Sequence, residues 1–419
     1  MAKRSSQRRL GPQAIKPVII GVLSLGVAWA AYSNAHGNNA LYTDPAGAEG
    51  EIGFGDFPRG QMADALLKTN IDAKTLPAAN QLARSSVLAQ AINPQALRVM
   101  GFEQDREGHS AKAFELISLS DQLSRRDIGT QAWLVNHAVA SGNIAEGLRH
   151  YDAALRVSNE VQPLLFATLT KGLGNDEVRE AFVPYVKNAA PWLPSFLGYS
   201  LGASGDPAAA VTVILQAGGL PRTDRQYREY EAQLIQGLAR TKQFDLLRRY
   251  FVTLPGANPE ILTSASFLNA ATAQTFQPIA WRESEEASIS SAFEDGGENG
   301  QKRLHVMANT GERGMAATKL TLLSPGHYQL TARLTTERGG KGATVAWQVA
   351  CARSGGGLPL VNAGTDVKSV SAEFDVPAEC GGVILTLMAA GGDRSDGAEF
   401  FIDDVQLVEK RAAQERKPG

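Results

Sequence analysis

The sequence predicts a multidomain α + β protein, with an N-terminal transmembrane helix, an all-α helical array and a C-terminal all-β sandwich. Three changes of pattern along the chain carry this prediction. A basic stretch followed by an apolar run occupies the first 35 residues. Apolar residues then recur at the i, i+3 and i+4 spacing of helices, and after residue 275 they alternate with polar residues as in half-buried strands.

The N-terminal apolar run is a membrane-targeting signal. Residues 1–16 hold five basic and no acidic side chains, and the run from Pro17 to Tyr32 holds 16 residues. As a helix it would span about 24 Å, against a hydrocarbon core of about 30 Å. Because basic flanks stay in the cytoplasm, we predict a cytoplasmic tail over 1–16 and a membrane anchor over 17–35. Small residues near its end also fit a cleaved signal, and both interpretations export the body of the protein.

Glycine-rich and helical patterns follow the apolar run. Residues 36–59 are rich in Gly, Asn and Ala, which is typical of a flexible linker. Residues 60–273 show helical segments separated by short turns, and the turn glycines Gly108 and Gly142 are 34 residues apart. This spacing resembles the tetratricopeptide repeat, a family whose stacked helix pairs form concave surfaces for peptides or protein partners. A helical bundle without repeats is the alternative.

The C-terminal segment, residues 277–409, has the pattern of a β-sandwich. Clear alternation of apolar and polar residues runs through 326–335, 343–349, 383–388 and 400–407. Glycine-rich turns separate these runs, and about nine strands fit into the segment. Short, regularly spaced strands of this kind predict an antiparallel sandwich. Residues 410–419 are predicted to form a disordered tail.

Three motifs give the sandwich a family resemblance. The segments 292–297, 323–330 and 400–407 open the domain, lie midway along it and close it. Together they resemble the jelly-roll carbohydrate-binding modules, in which the opening and closing strands pair and often enclose a structural calcium. The resemblance implies a calcium site at Glu294, Asp403 and Asp404, since calcium prefers oxygen ligands. Solvated carboxylates at strand ends are the alternative.

The same resemblance directs attention to aromatic side chains, because sugar C–H groups stack on exposed rings. The candidate glycan-binding residues are Trp281, Tyr328 and Trp347. Tyr328 and Trp347 also occupy alternating apolar positions, where packing in the core is the alternative. Trp281 lies near the domain junction and could instead seal the two domains together.

The chain has two cysteines, Cys351 and Cys380. In an exported domain such a pair predicts a disulfide, which would close a loop of about 30 residues and contribute about 3 kcal/mol. Two independent buried thiols are the alternative. The sequence has none of the His and Cys spacings of zinc sites.

Charge and motifs argue against two classes of function. The net charge of −2 gives no basis for nucleic-acid binding, so we expect no nucleic-acid partner. The segment Gly198–Gly202 matches G-x-S-x-G, but it lies in the helical region rather than at a strand-to-helix turn. Small residues at a helix crossing explain it, and we predict no catalytic residues.

These observations predict a non-catalytic periplasmic scaffold or adaptor in cell-envelope assembly, in the setting of exopolysaccharide biosynthesis or export. We expect a single pass through the bacterial inner membrane, with the N-terminus in the cytoplasm. An envelope protein would bind the helical array and a polysaccharide the sandwich. We expect no cofactor other than the structural calcium. The alternatives are a carbohydrate-active enzyme or its substrate-targeting subunit, and a peptidoglycan-binding module.

Overall fold

A computed structural model describes residues 60–61, 63–66, 75–89, 92–203, 205–222, 225–267, 276–297, 302–364 and 368–410. The chain forms two compact units, Met1–Leu165 and Phe166–Gly419. The predicted cytoplasmic tail, the membrane segment with Pro17 and Tyr32, the linker and residues 411–419 lie outside the described residues. Within the described ranges, no helix combines the length and the apolar character needed to cross a bilayer.

The first unit is helical. Residues 60–61 and 63–66 are helical, and the helices that follow are α1 (Thr75–Ala89), α2 (Pro94–Arg106), α3 (Ser110–Leu123), α4 (Ile128–Ala140) and α5 (Ile144–Val157). Helices α2, α4 and α5 begin where an Asn or Asp side chain accepts a hydrogen bond from the backbone N–H three residues on. Gly108 and Gly142 occupy the two hairpin turns with φ of 81° and 72°, a region that side chains other than glycine rarely adopt.

Close helix crossing and buried charge shape this unit. A Cβ atom added to Gly101 would overlap Ile117, so the absence of a side chain lets α2 and α3 approach each other. The guanidinium of Arg98, with 6% of its side chain exposed, contacts the carboxylates of Asp64 and Asp127. The helical pairs are therefore joined by polar as well as apolar contacts.

The second unit begins with more helices and continues into the sandwich. Its helices in the described residues are α6 (Gln162–Gly172, which contains the unit boundary), α7 (Asp176–Lys187), α8 (Leu193–Leu201), α9 (Pro207–Ala217), α10 (Gln226–Arg240) and α11 (Phe244–Phe251). Ser200 is fully buried in α8, and its hydroxyl donates to the carbonyl of Phe196 at 2.9 Å. The G-x-S-x-G segment is therefore helical, as its context predicts.

The described part of the sandwich contains ten strands in two five-stranded antiparallel sheets. The strands are β1 (Arg282–Glu283), β2 (Ile289–Asp295), β3 (Lys302–Ala308), β4 (Arg313–Thr321), β5 (Gly326–Arg338), β6 (Ala343–Cys351), β7 (Gly357–Gly364), β8 (Ser369–Val376), β9 (Val383–Gly391) and β10 (Ala398–Glu409). Sheet I has the order β1-β4-β9-β6-β7, and sheet II has the order β2-β3-β10-β5-β8. The predicted α + β class and the antiparallel sandwich are confirmed.

The core lies between the two sheets. Strand β5 alternates as its sequence predicts, with Tyr328, Leu330, Ala332 and Leu334 buried. Cys351 and Cys380 form a disulfide with their Cα atoms 4.8 Å apart, which confirms the predicted pairing. The bond joins the end of β6 to the short helical turn Ala378–Cys380 before β9.

Within the second unit, helices and connecting segments are fastened to the sandwich by side-chain donors. Arg248 on α11 donates to the carbonyl of Leu322 at 2.5 Å. Two donors hold the segment 264–267: the indole of Trp281 binds the Ala265 carbonyl at 3.0 Å, and the ammonium of Lys319 binds the Ser264 carbonyl at 2.6 Å. These bonds fix that segment over the sandwich core.

Candidate functional site: the outer face of sheet II

Sheet II presents a row of polar and charged side chains on the side away from the core. The alternation that buries Leu304, Phe400 and Ile402 turns their neighbours outward. We call these outward side chains the polar face. They are Glu294 on β2, Arg303 and His305 on β3, Glu399, Phe401 and Asp403 on β10, Arg333, Arg338, Gln329 and His327 on β5, and Ser371, Glu373 and Asp375 on β8.

An aromatic ring lies in the middle of the polar face. Phe401 is half-buried and stands directly opposite His305 in the pairing of β10 with β3. The imidazole stacks on the phenyl ring with centroids 4.6 Å apart and planes 18° apart. The guanidinium carbon of Arg303 lies 4.1 Å from the same ring centroid, a cation–π contact worth about 0.5–2 kcal/mol. The phenyl ring thus holds two hydrogen-bonding side chains in fixed orientations.

Arginines on the polar face stand opposite carboxylates on neighbouring strands. Arg303 Nε donates to Glu294 at 2.7 Å, across β3 and β2. Arg338 Nη2 lies 2.7 Å from Glu399, across β5 and β10. These cross-strand pairs orient each guanidinium fork and each carboxylate on a rigid sheet.

The carboxylate of Glu399 has a second contact, because His305 Nε2 lies 2.8 Å away. At the other end of the face, His327 lies 2.8 Å from Asp375 and 3.3 Å from Glu373. These hydrogen bonds, with Asp375 contributing most, raise the pKa of His327 above its ordinary value.

The carboxylates that the sequence assigns to calcium do not form one cluster. Strand β3 lies between β2 and β10, so the opening and closing strands are not neighbours. Glu294 contacts Arg303, while Asp403 and Asp404 lie 3.6 and 3.5 Å from Arg333. In the described ranges, no group of three or more His, Cys, Asp or Glu side chains is arranged to hold a metal. Calcium binding itself stays a prediction.

A β-bulge on β10 contains one of those carboxylates. The register of β10 against β5 shifts between Asp403 and Gln406, and Asp404 has a φ of 49°. Gln406 Nε2 donates to the Asp404 carboxylate at 2.8 Å. The bulge changes the direction of the side chains that follow it on β10.

The aromatic residues that the sequence proposes for glycan stacking are in the core. Trp281, Tyr328 and Trp347 are 2%, 6% and 1% exposed. The rings of Trp281 and Trp347 pack against each other with centroids 5.9 Å apart, and the hydroxyl of Tyr328 donates to the Ser324 carbonyl at 3.0 Å. Rings buried in this way have no face for a sugar, so core packing is the observed role.

Phe401 is an aromatic residue of the polar face that is not among the candidates from the sequence. Adjacent residues of a strand point to opposite faces, so one ring of the pair Phe400–Phe401 had to point outward. Phe400 is fully buried and Phe401 half-buried. The alternation could have identified an outward phenylalanine, but not its arginine and histidine neighbours, which come from β3.

Comparisons with known proteins give likenesses in structure alone. No protein-family model matches the chain, and no curated protein matches it. The sandwich is similar to TmCBM61, solved in complex with β-1,4-galactotriose, with 19% identity over 35% of this chain and 99% of the module and a TM-score of 0.26. It is also similar to the CBM22-1 xylan-binding domain of Paenibacillus barcinonensis Xyn10C, with 16% identity over 36% and 96% of the two chains and a TM-score of 0.26. The mannan-recognising module TmCBM27 has 15% identity over 35% and 96% of the two chains, with a TM-score of 0.27.

Proposed function

We propose that this protein is a non-catalytic glycan-binding protein whose ligand lies on the polar face of sheet II. The observation that carries the proposal is the group around Phe401, in which a phenyl ring fixes Arg303 and His305 beside Glu399 and Arg338. Sugar hydroxyls both donate and accept hydrogen bonds. A face that presents guanidinium donors and carboxylate acceptors on a rigid sheet can satisfy both roles.

The phenyl ring supports the same ligand class. Sugar rings have apolar C–H surfaces as well as hydroxyls, and an aromatic ring beside polar groups fits both. Part of the Phe401 ring is covered by Arg303 and His305. We therefore assign most of the recognition to hydrogen bonds and ion–dipole contacts, with the ring supplying their orientation and an apolar edge.

The arrangement of carboxylates favours binding over hydrolysis. Glycoside hydrolysis needs two carboxyl groups about 5–10 Å apart, one of which starts the reaction protonated. On the polar face Glu294 and Glu399 each form an ion pair with an arginine. Both carboxylates are thus already engaged by guanidinium donors on the sheet. The enzyme alternative therefore has less support than the binding function.

The wider setting that we propose is a membrane-tethered periplasmic scaffold in cell-envelope assembly, with exopolysaccharide biosynthesis or export as its process. The basic and apolar N-terminal pattern supports the tether and the export of the body. The disulfide between Cys351 and Cys380 supports an oxidising compartment. The helical array, which we propose to be of the tetratricopeptide type, would hold a protein partner.

A binding assay on the full chain tests the glycan proposal. We expect the purified protein to bind one or more oligosaccharides on a glycan array, and Phe401→Ala to weaken that binding at least tenfold. Ile384→Ala is the matched control, because Ile384 is an exposed apolar residue on β9 of sheet I, away from the polar face. Absence of any glycan binding, or equal binding by Phe401→Ala at an unchanged melting temperature, would overturn the proposal.

A further inference from the structure

The helical unit Met1–Leu165 contains a groove lined mainly by arginine side chains. Its volume is about 650 Å³. We call it the arginine groove, and its charged lining residues are Arg125, Arg126, Arg149, Asp152 and Arg156. Two small apolar residues, Ala153 and Val157, complete the wall. Four positive charges and one negative charge therefore face a single concave space.

One wall of the groove belongs to helix α5. Arg149, Asp152 and Arg156 lie three and four residues apart, so they share one side of the helix. The carboxylate of Asp152 accepts from Arg156 Nε at 2.9 and 2.8 Å. Arg149 Nη2 lies 2.7 Å from Glu146. These contacts hold both guanidiniums at the wall.

A second wall of the groove is the turn between α3 and α4, which carries Arg125 and Arg126. Hydrogen bonds fix the backbone of this turn, since Gln131 Nε2 donates to the Arg125 carbonyl at 3.3 Å and Arg126 N–H donates to Ser124 Oγ at 3.4 Å. Both arginine side chains are exposed, and in the described part of the chain neither forms an ion pair. Their guanidiniums are therefore available to a ligand.

We propose that the arginine groove binds an acidic oligosaccharide segment through its carboxylates. A guanidinium fork matches a carboxylate with two parallel hydrogen bonds. Guanidiniums on both walls suit a ligand that carries negative charges on successive units. The volume is within the range of ordinary ligand sites. Charge alone fits both a glycan and an acidic peptide, and the choice of a glycan rests on the glycan-binding part of the proposed function. The protein partner proposed for the helical array would then bind a surface other than this groove.

The arginine groove would be a second glycan site of the protein, and it would select ligands that carry negative charge. The polar face pairs its arginines with carboxylates, so it has little net charge to select an anion. In the arginine groove Arg149 and Arg156 are also paired, with Glu146 and Asp152, so its excess of positive charge comes from Arg125 and Arg126. Binding there should weaken steeply as salt is raised, because screening acts on exposed charges.

The test is calorimetric titration of the full chain with tetragalacturonate and with a neutral galactotetraose. We expect Arg125→Gln/Arg126→Gln to lower the affinity for tetragalacturonate at least tenfold and leave neutral binding unchanged. The control Arg225→Gln/Arg228→Gln removes two exposed charges from the other compact unit and should change neither affinity. Phe401→Ala should reduce neutral binding and spare the salt-sensitive binding of tetragalacturonate.

The outcomes separate the two proposals. Suppose that the protein binds galactotetraose but not tetragalacturonate, or that Arg125→Gln/Arg126→Gln binds tetragalacturonate as tightly as the wild type does. Either result overturns the binding of acidic glycan in the groove and leaves the proposed function standing. Binding of hexaglutamate at the groove in place of tetragalacturonate also overturns it, in favour of an acidic peptide. Tetragalacturonate binding that depends on Arg125 and Arg126, without neutral binding, supports the groove and contradicts the ligand site on the polar face.

Discussion

The first unit and the sandwich bury charged groups in opposite ways. In the first unit, Arg98 lies between the carboxylates of Asp64 and Asp127. In the sandwich, Lys319 is 3% exposed, and its ammonium donates a hydrogen bond to the backbone carbonyl of Ser264. Paired burial keeps a charge in place, whereas burial without an opposite charge favours the neutral form. Burial accordingly lowers the pKa of Lys319 to about 7.

This difference indicates what holds each region together. The polar network of the first unit also includes Gln131, whose amide binds Asp121 at 2.6 Å and His150 at 2.7 Å. The sandwich core is instead almost entirely apolar and is supplemented by the Cys351–Cys380 disulfide. We expect the first unit to respond most to loss of a charged partner, and the sandwich to respond most to loss of its covalent link.

The largest expected effect is the removal of the buried cation of the first unit. Arg98→Met leaves the carboxylates of Asp64 and Asp127 without their guanidinium, and breaking such a buried pair costs about 3–5 kcal/mol. Urea unfolding followed by circular dichroism measures this loss. Arg84→Met is the control, since Arg84 is exposed and 3.5 Å from Glu103, and should cost less than about 1 kcal/mol. Equal effects of the two substitutions would contradict the contrast.

Removal of the disulfide should have the next largest effect. Cys351→Ala/Cys380→Ala frees a loop with a sequence separation of 29 residues, and we expect the sandwich to lose about 3 kcal/mol. The unfolding midpoint of the sandwich transition in guanidinium chloride checks this. The unfolding midpoint of the first unit should stay the same. If both midpoints fell, the two units would not unfold separately.

Lys319→Met should stabilise the sandwich at acidic and neutral pH. The folded-state pKa of about 7 lies below the ordinary value of 10.5, so the unfolded chain binds a proton more readily between these values. The wild type therefore gains stability as pH rises from 7 towards 10.5, and carries the full penalty of burial below 7. We expect a gain of about 2 kcal/mol for Lys319→Met at pH 6, shrinking as the pH is raised, as measured by thermal unfolding. A loss of stability at pH 6 would contradict this account of the buried amine.

The smallest expected effect is a pH dependence of the first unit. Burial, with help from Arg149, lowers the pKa of His150 below its ordinary value of 6.5. Because the unfolded chain then takes up the proton first, stability is fully present above pH 6.5 and falls as the pH drops towards the folded-state pKa. We expect a loss between pH 7.5 and 5.5 that is absent in His150→Gln and is at most about 1.4 kcal/mol, the limit set by the ordinary pKa of 6.5. If the free energy of unfolding of the wild type and of His150→Gln fell by the same amount between the two pH values, the role of His150 would be disproved.

The local patterns of the sequence predicted the elements and several of their contacts. Alternation predicted the inward positions of β5, and the turn glycines Gly108 and Gly142 mark two helical hairpins. The pairing of Cys351 with Cys380 followed from their number and the expected compartment. These features depend on neighbours in sequence or on a choice among few partners.

The site residues depended on strand order, which local pattern does not give. The insertion of β3 between β2 and β10 places Arg303 beside Glu294 and His305 beside Phe401. Because the strand order cannot be read from the local pattern, Glu294 near the start of the domain and Asp403 and Asp404 near its end were expected to share a calcium site. Alternation also placed Trp347 on an apolar face without showing whether that face was covered, and it is buried.

The most direct test of the central claim is a crystal structure of the full chain with the oligosaccharide that binds best on the array. We expect a sugar ring on the polar face, beside the Phe401 ring and within hydrogen-bond distance of Arg303, Arg338 or Glu399. A neutral oligosaccharide bound elsewhere, on the outer face of sheet I or on the helices, would contradict the claim.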